Sequence, residues 1–81
     1  MRVKAKFFAA LREEMDDREI IVTLTEGATV QALLEQLILR HPQVGAHLDS
    51  LHFAVNRAYA SAQTVLEDGD EVALLPPVGG G

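Results

Sequence analysis

The sequence predicts an α+β domain in which a mixed β-sheet carries one main helix on one face. Several segments alternate apolar and polar residues or are rich in β-branched residues, which is typical of strands. One central segment repeats its apolar residues at helical spacing. The chain has 81 residues, and a domain of that size has room for one sheet and little more than one covering helix.

The amino-terminal third predicts a hairpin. Alternation over residues 2–8 predicts a strand, and the β-branched residues of 19–25 predict a second strand antiparallel to it. Residues 9–15 are expected to form a short helical turn between them. Phe8 departs from the alternation because it places a large apolar side chain on the polar face. The side chains expected to face the core are Val3, Ala5, Phe7, Ile20, Val22 and Leu24.

A single amphipathic helix follows the hairpin. Thr29 is a suitable N-cap, and Pro42 is expected to end the helix. The apolar residues between them recur at positions i, i+3, i+4, i+7 and i+8, so one stripe of the helix must be covered by the sheet. These residues are Val30, Leu33, Leu34, Leu37 and Ile38.

The remaining segments complete a β-β-α-β-β-β order. They are an irregular crossing at 43–50 with room for one helical turn, a strand at 51–56, a tight turn at Asn56-Arg57, a short strand near Tyr59-Ala60, a loop at 64–70 and a last strand at 71–75. This order is the layout of the β-grasp, or ubiquitin-like, fold. In that fold the final strand lies in the middle of the sheet, parallel to the first.

The sequence ends in an unusual tail. We expect residues 1–75 to form the β-grasp body and residues 76–81 (Pro-Pro-Val-Gly-Gly-Gly) to extend from the same single domain. Proline cannot continue a ladder, and glycine makes a thin chain. We therefore hypothesise that the α-carboxylate of Gly81 is the functional group. The alternative is a frayed terminus or an expression remnant.

Composition excludes several classes of function. The net charge of −5 argues against nucleic-acid binding, and the absence of cysteine excludes disulfides, thiolate metal sites and a cysteine nucleophile. His41, His47 and His52 lack the spacing of metal ligands, so no metal site is expected. No apolar run approaches the roughly 18 residues of a membrane span, and no signal peptide is evident. We expect a cytoplasmic protein that does not bind membranes.

Motifs spread along the chain resemble those of the small subunit of molybdopterin synthase, a ubiquitin-like sulfur carrier. The most specific is the Pro-Pro-Val-x-Gly-Gly ending of so short a domain. The matching stretches are Phe7-Phe8-Ala9-x-Leu11-Arg12-Glu13, Glu26-Gly27-Ala28-Thr29-Val30, Ala54-Val55-Asn56, Leu66-x-Asp68-Gly69-Asp70-Glu71-Val72-Ala73 and Pro76-Pro77-Val78-x-Gly80-Gly81.

The resemblance implies a chemical role for Gly81. An adenylyltransferase similar to ubiquitin-activating enzymes would use ATP to adenylate it, and conversion to a thiocarboxylate (1-thioglycine) would follow. The tail residues Pro77, Val78, Gly79 and Gly80 would enter the large synthase subunit, where the sulfur passes to a cyclic pterin precursor. The expected assembly is a heterotetramer, and the chain is its sulfur-donating subunit, without a permanently bound cofactor and not catalytic in isolation.

Two positions depart from the family pattern. Gly79 stands where the family usually has serine or alanine, which adds flexibility at little chemical cost. The turn at Asn56-Arg57 lacks the glycine often found there, so only the type of that turn is in question.

A partner-docking surface is predicted on the sheet face opposite the helix. Strand parity places Phe8 there together with Ala73 and Leu75, and Tyr59 can join them from a neighbouring strand. An apolar cluster on an otherwise polar face usually marks an interface. We predict Phe8, Tyr59 and Leu75 as docking residues. The alternative is that the loop at 9–18 partly buries them.

Three other functions remain open. The thiamine-pathway sulfur carrier shares the fold and the Gly-Gly end, although it is typically shorter and its tail usually lacks the double proline. A ubiquitin-like modifier conjugated to lysines would use the same activated glycine. A β-grasp binding module with an inert tail is the third, and it would work without Gly80 and Gly81.

Overall fold

A five-stranded mixed sheet with a helix on one face forms the body of the protein in the computed structural model, which describes residues 1–77. The elements are β1 (Arg2–Phe7), α1 (Ala9–Glu14), β2 (Glu19–Thr23), α2 (Val30–Arg40), a 3-10 helix (Pro42–Ser50), β3 (His52–Val55), β4 (Ala58–Ala60) and β5 (Glu71–Leu75). The predicted β-grasp fold is confirmed.

The last strand lies at the centre of the sheet. The strand order is β2-β1-β5-β3-β4, so β5 pairs with β1 on one side and β3 on the other. It runs parallel to β1, with Ala5 opposite Val72, and antiparallel to β3, with His52 opposite Leu75. The predicted antiparallel pairing of β1 with β2 is also present.

The core lies between the sheet and α2. The Thr29 hydroxyl accepts a hydrogen bond from the Ala32 N–H at 3.4 Å, so the predicted N-cap is confirmed. The residues predicted to face inward are buried or pack against the core, as are Leu51, Phe53 and Val55 of the third predicted strand. The buried set is Val3, Ala5, Phe7, Leu11, Met15, Val22, Leu24, Val30, Leu33, Leu34, Leu37, Val44, Leu51, Leu66, Val72 and Leu74.

The crossing after α2 is more regular than the sequence predicts. Residues Pro42–Ser50 form a 3-10 helix, where the sequence predicts an irregular crossing with at most one helical turn. Proline is well suited to its first turn, because the φ angle is already set and no N–H is lost there. Val44 is fully buried and fixes this helix against the body. The crossing thus contributes to the core.

The turn between β3 and β4 is a tight two-residue connection, as predicted. Asn56 and Arg57 both have positive φ, at 49° and 71°. The Asn56 side-chain amide donates a hydrogen bond to the Asp70 carboxylate at 2.8 Å, and its oxygen accepts one from the Glu71 N–H at 3.0 Å. This side chain therefore ties the turn to the start of β5.

The loop before β5 aligns that strand with β1. The Asp68 carboxylate accepts a hydrogen bond from the Arg2 N–H, and the Asp70 carboxylate accepts one from the Glu67 N–H, both at 2.8 Å. The Lys4 N–H donates to the Asp70 carbonyl at 2.9 Å. These acidic residues are therefore part of the framework. At the same amino-terminal end of β1, the Met1 ammonium donates a hydrogen bond to the Leu24 carbonyl at 2.7 Å.

Two leucines of α2 give a matched test of the core. Leu33 is 0% exposed and Leu39 is 78% exposed. We expect Leu33→Ala to lower the free energy of unfolding by about 2–5 kcal/mol, because it leaves a cavity. Leu39→Ala should change it by less than about 0.5 kcal/mol. Urea denaturation followed by circular dichroism measures both, and equal effects would contradict the assigned helix face.

The β3–β4 turn offers a second stability test. Arg57 holds a left-handed conformation, which costs a residue with a side chain about 1–2 kcal/mol. Glycine removes that cost but loses more entropy on folding. We therefore expect Arg57→Gly to raise the free energy of unfolding by about 0.5–1 kcal/mol. The control Arg57→Ala removes the same side chain but leaves a residue that still disfavours positive φ. If denaturation experiments show a similar rise in the free energy of unfolding for Arg57→Ala, backbone strain at this position is not the cause.

Candidate functional site

An apolar groove lies where β5 ends. Its volume is about 480 Å³. The three residues predicted for docking line it together, although their docking role remains a prediction. The full lining is Phe8, Ala9, His52, Tyr59, Leu75, Pro76 and Pro77.

Cross-strand pairing brings the groove residues together. Leu75 is opposite His52, and Tyr59 is opposite Ala54, which is in turn opposite Ala73. Directly opposed residues share a sheet face. Because Val72 and Leu74 point into the core, these side chains lie on the face away from α2.

The groove is open to solvent. Tyr59 is 86% exposed and Phe8 is 42% exposed, whereas Leu75 is half-buried. The segment at 9–18 therefore does not cover Tyr59, and the alternative of partial burial is wrong for this residue, whereas more than half of the Phe8 surface is covered. A tyrosine this exposed contributes little to the core and is a typical interface anchor.

Phe8 is placed by the junction between β1 and α1. It is extended, with φ of −132° and ψ of 161°, and it directly precedes α1. Ala9 then adopts a φ of 52°, which reverses the chain immediately after Phe8. Leu11 is fully buried and anchors α1 to the core. The exposed aromatic ring is thus carried by a fixed piece of backbone.

Sequence reasoning missed two contributors to the groove. Pro76 was predicted as the first tail residue, yet it is buried, so the chain still lies against the body one residue beyond β5. His52 belongs to the predicted strand at 51–56 but is not among the predicted docking residues, and its pairing with Leu75 places it at the groove. Strand register would have revealed His52, but no local signal marks the burial of Pro76.

The rest of this sheet face is charged. Lys4 pairs with Glu19 at 3.7 Å, and Lys6 pairs with Glu71 at 3.5 Å. All four side chains are partly exposed, so each pair contributes about 0–1 kcal/mol. The face therefore divides into an apolar end at the groove and a charged region beside it.

The described residues contain no other obvious site of chemistry. Within residues 1–77, no three His, Asp or Glu side chains are grouped closely enough to hold a metal ion. His47 instead contacts the Glu14 carboxylate. None of the helices in this part of the chain is long and apolar enough to cross a membrane. The predicted tail residues Val78, Gly79, Gly80 and Gly81 lie outside the described residues.

The central last strand, the covering helix and the open groove define a ubiquitin-like β-grasp protein. The chain belongs to the ThiS family, whose profile matches residues 5–81. It is 40% identical over 83 residues to the molybdopterin synthase sulfur carrier subunit of Mycobacterium tuberculosis, covering 100% of this chain and 99% of that protein. It is 39% identical over 83 residues to the subunit of the same description from Chlamydomonas reinhardtii, covering all of both.

A solved structure supports the same fold. The crystal structure of SAMP1, a small archaeal modifier protein from Haloferax volcanii, superposes with a TM-score of 0.91. It is 30% identical to this chain, and the match covers 100% of both chains. Relatives of this chain therefore include proteins described as sulfur carriers and a protein described as a modifier.

Substitution of the two adjacent phenylalanines distinguishes a residue of the core, Phe7, from a residue of the surface, Phe8. Phe7 is 2% exposed, so we expect Phe7→Ala to lower the free energy of unfolding by about 3–5 kcal/mol. Phe8→Ala should cost about 1 kcal/mol or less, because much of its ring is already in water. Thermal unfolding of the two variants checks this. A Phe8 variant as unstable as the Phe7 variant would remove Phe8 from the candidate docking surface.

Proposed function

We propose that this chain is the sulfur carrier subunit of a molybdopterin synthase. The observation that carries the proposal is the similarity, over the whole chain, to two proteins described as molybdopterin synthase sulfur carrier subunits. The sequence also keeps the Pro76-Pro77-Val78-Gly79-Gly80-Gly81 ending. Its body presents an apolar groove beside the point where that ending begins.

The proposed chemistry takes place at the Gly81 carboxylate. A carboxylate is a poor electrophile, so it must first be activated. One of its oxygens attacks the α-phosphate of ATP, pyrophosphate leaves, and an acyl-adenylate forms. Hydrosulfide (HS⁻) supplied by a sulfur donor then attacks the acyl carbon, AMP leaves with the bonding electron pair, and the proton on sulfur is lost. The product is a thiocarboxylate, which serves as a sulfur nucleophile in a chain that has no cysteine.

The acid–base groups for these steps are assigned to partner proteins. The activating enzyme adenylates Gly81, and the large synthase subunit receives the tail and the pterin precursor. Both must exclude water, because an acyl-adenylate and a thiocarboxylate can be hydrolysed. A narrow channel serves that purpose, and Gly79 and Gly80 have no side chains to obstruct it. By family resemblance, the assembly is a heterotetramer with two small subunits.

The body of the fold acts as a handle in this proposal. Phe8, Tyr59 and Leu75 dock against a partner surface, and their position beside Pro76 and Pro77 sets where the tail starts. Because β5 is held by strands on both sides, the starting point of the tail is fixed relative to the docking surface. Docking the groove therefore delivers Gly81 to a defined region of the partner.

A second candidate is a ubiquitin-like modifier. The close superposition with SAMP1 favours it, because that protein is described as a modifier. Activation of Gly81 is the same, but a lysine amine of a target protein attacks the acyl carbon and forms an amide. The difference lies in the acceptor, which partners select.

The deciding experiment locates sulfur in the chain. The protein is incubated with its cognate activating enzyme, ATP and a sulfur donor, and the carboxyl-terminal peptide is fragmented by mass spectrometry. We expect one oxygen of Gly81 to be replaced by sulfur, and the sulfur to be lost when the large subunit and pterin precursor are added. Fragmentation is needed because oxidation of Met1 or Met15 gives nearly the same change in intact mass.

A variant lacking Gly80 and Gly81 is the matched control and should acquire no sulfur, because it no longer ends in two glycines. An unmodified Gly81 in the presence of an enzyme that activates another carrier would refute the sulfur-carrier function. Gly81 found in amide linkage to lysines of other proteins would favour the modifier.

A further inference from the structure

A second cavity, of about 310 Å³, adjoins the apolar groove, and three of its six lining side chains are cationic. Phe8 lines both, so the two form one continuous surface. The cavity lining is Lys6, Phe7, Phe8, Arg12, Arg18 and Glu19. Three of the seven basic residues of the chain therefore converge on one place, although the net charge of the whole protein is −5.

The fold separates these cations from the acidic residues that surround them in sequence. Four acidic side chains lie between the two arginines along the chain, and none of them lines the cavity. Glu14, for example, turns away to contact His47 of the 3-10 helix. The four acidic residues are Glu13, Glu14, Asp16 and Asp17.

Within residues 1–77, the two arginines have no ion-pair partner. Lys6 pairs with Glu71, and the single acidic lining residue, Glu19, pairs with Lys4. Among residues 1–77, no carboxylate lies within 4.0 Å of the guanidinium of Arg12 or Arg18. The cavity thus presents two guanidinium groups whose charge is not neutralised by a direct contact.

The backbone at both arginines is anchored. The Arg18 carbonyl accepts a hydrogen bond from the Phe7 N–H at 2.9 Å, which attaches this residue to the end of β1. Arg12 follows the fully buried Leu11 in α1, and its carbonyl accepts from the Met15 N–H at 3.3 Å. Only the two side chains must be ordered when a ligand binds, which limits the entropic cost.

We infer that this cavity receives an acidic segment of a partner protein when Phe8, Tyr59 and Leu75 dock. The inference rests on the proposed function, since it concerns how the carrier meets its partners. Guanidinium groups bind carboxylates through paired hydrogen bonds, and an apolar anchor bordered by charged groups is a common interface design. An acidic partner is otherwise repelled by a chain of charge −5, so a local cationic cavity fixes the orientation of approach.

The test compares two double variants of equal charge. Arg12→Ala/Arg18→Ala removes both cavity guanidiniums, whereas Arg40→Ala/Arg57→Ala removes two exposed arginines that do not line the cavity. Association and dissociation rate constants with the large synthase subunit and with the activating enzyme are measured at low and high salt. Thermal unfolding verifies that both variants are folded.

We expect the Arg12→Ala/Arg18→Ala variant to associate about tenfold more slowly at low salt with at least one partner, and the deficit to shrink at high salt. The Arg40→Ala/Arg57→Ala variant should remain within about twofold of the unmodified chain. Tyr59→Ser should instead act mainly on dissociation, because it removes an apolar contact made after encounter.

Equal association rates for the two double variants would overturn the inference and leave the sulfur-carrier function intact, since that function is tested by sulfur at Gly81. Failure of the unmodified chain to bind either partner would overturn both. A nucleoside triphosphate that shifts the amide NMR signals of Arg12 and Arg18, with association rates unchanged, would assign the cavity to phosphate and also overturn it.

Discussion

The structure depends on the two-sided pairing of β5. This strand hydrogen-bonds to β1 in parallel and to β3 in antiparallel orientation, so the last element of the chain is held by the first and by the third strand. The connection before it must run alongside β1, and the Asp68 and Asp70 carboxylates fix it there. The side chains of β5 then alternate between the core and the sheet face that carries the groove. Pairing strands at long sequence separation closes long loops of chain, so this arrangement carries an entropic cost that burial of the core must offset.

Local pattern was sufficient to predict the fold, because each element carries its own signal. Three patterns can be recognised from the local sequence alone: the apolar stripe from Val30 to Ile38, the alternation of β1 and the Asn56-Arg57 turn. The order of these elements along the chain then restricts the possible topologies. The full extent of the 3-10 helix at Pro42–Ser50 was not predicted, because helices of this kind have weak sequence signals.

Prediction of the surface was less complete, for a physical reason. Strand parity placed Phe8, Tyr59 and Leu75 on one face, but the contributions of His52 and Pro76 depend on register and on packing at the sheet end. The cationic cavity was not predicted at all. Arg12 and Arg18 are surrounded in sequence by acidic residues, and only the fold of α1 and the following loop separates the two signs of charge. Charge patterns along a chain therefore describe a surface poorly when a short helix and a loop rearrange them.

The amines of this protein are few, and each already has an electrostatic partner. Lysine occurs only at positions 4 and 6, where each ammonium pairs with a glutamate, and the Met1 ammonium donates to the Leu24 carbonyl. An activated acyl group reacts with amines, and this chain offers only three of them, all on or next to β1. In the proposed function the terminus becomes an acylating agent, and a second copy of the chain is then a poor acceptor because it presents so few amines. Self-acylation and polymer formation through the body of the protein are limited for the same reason.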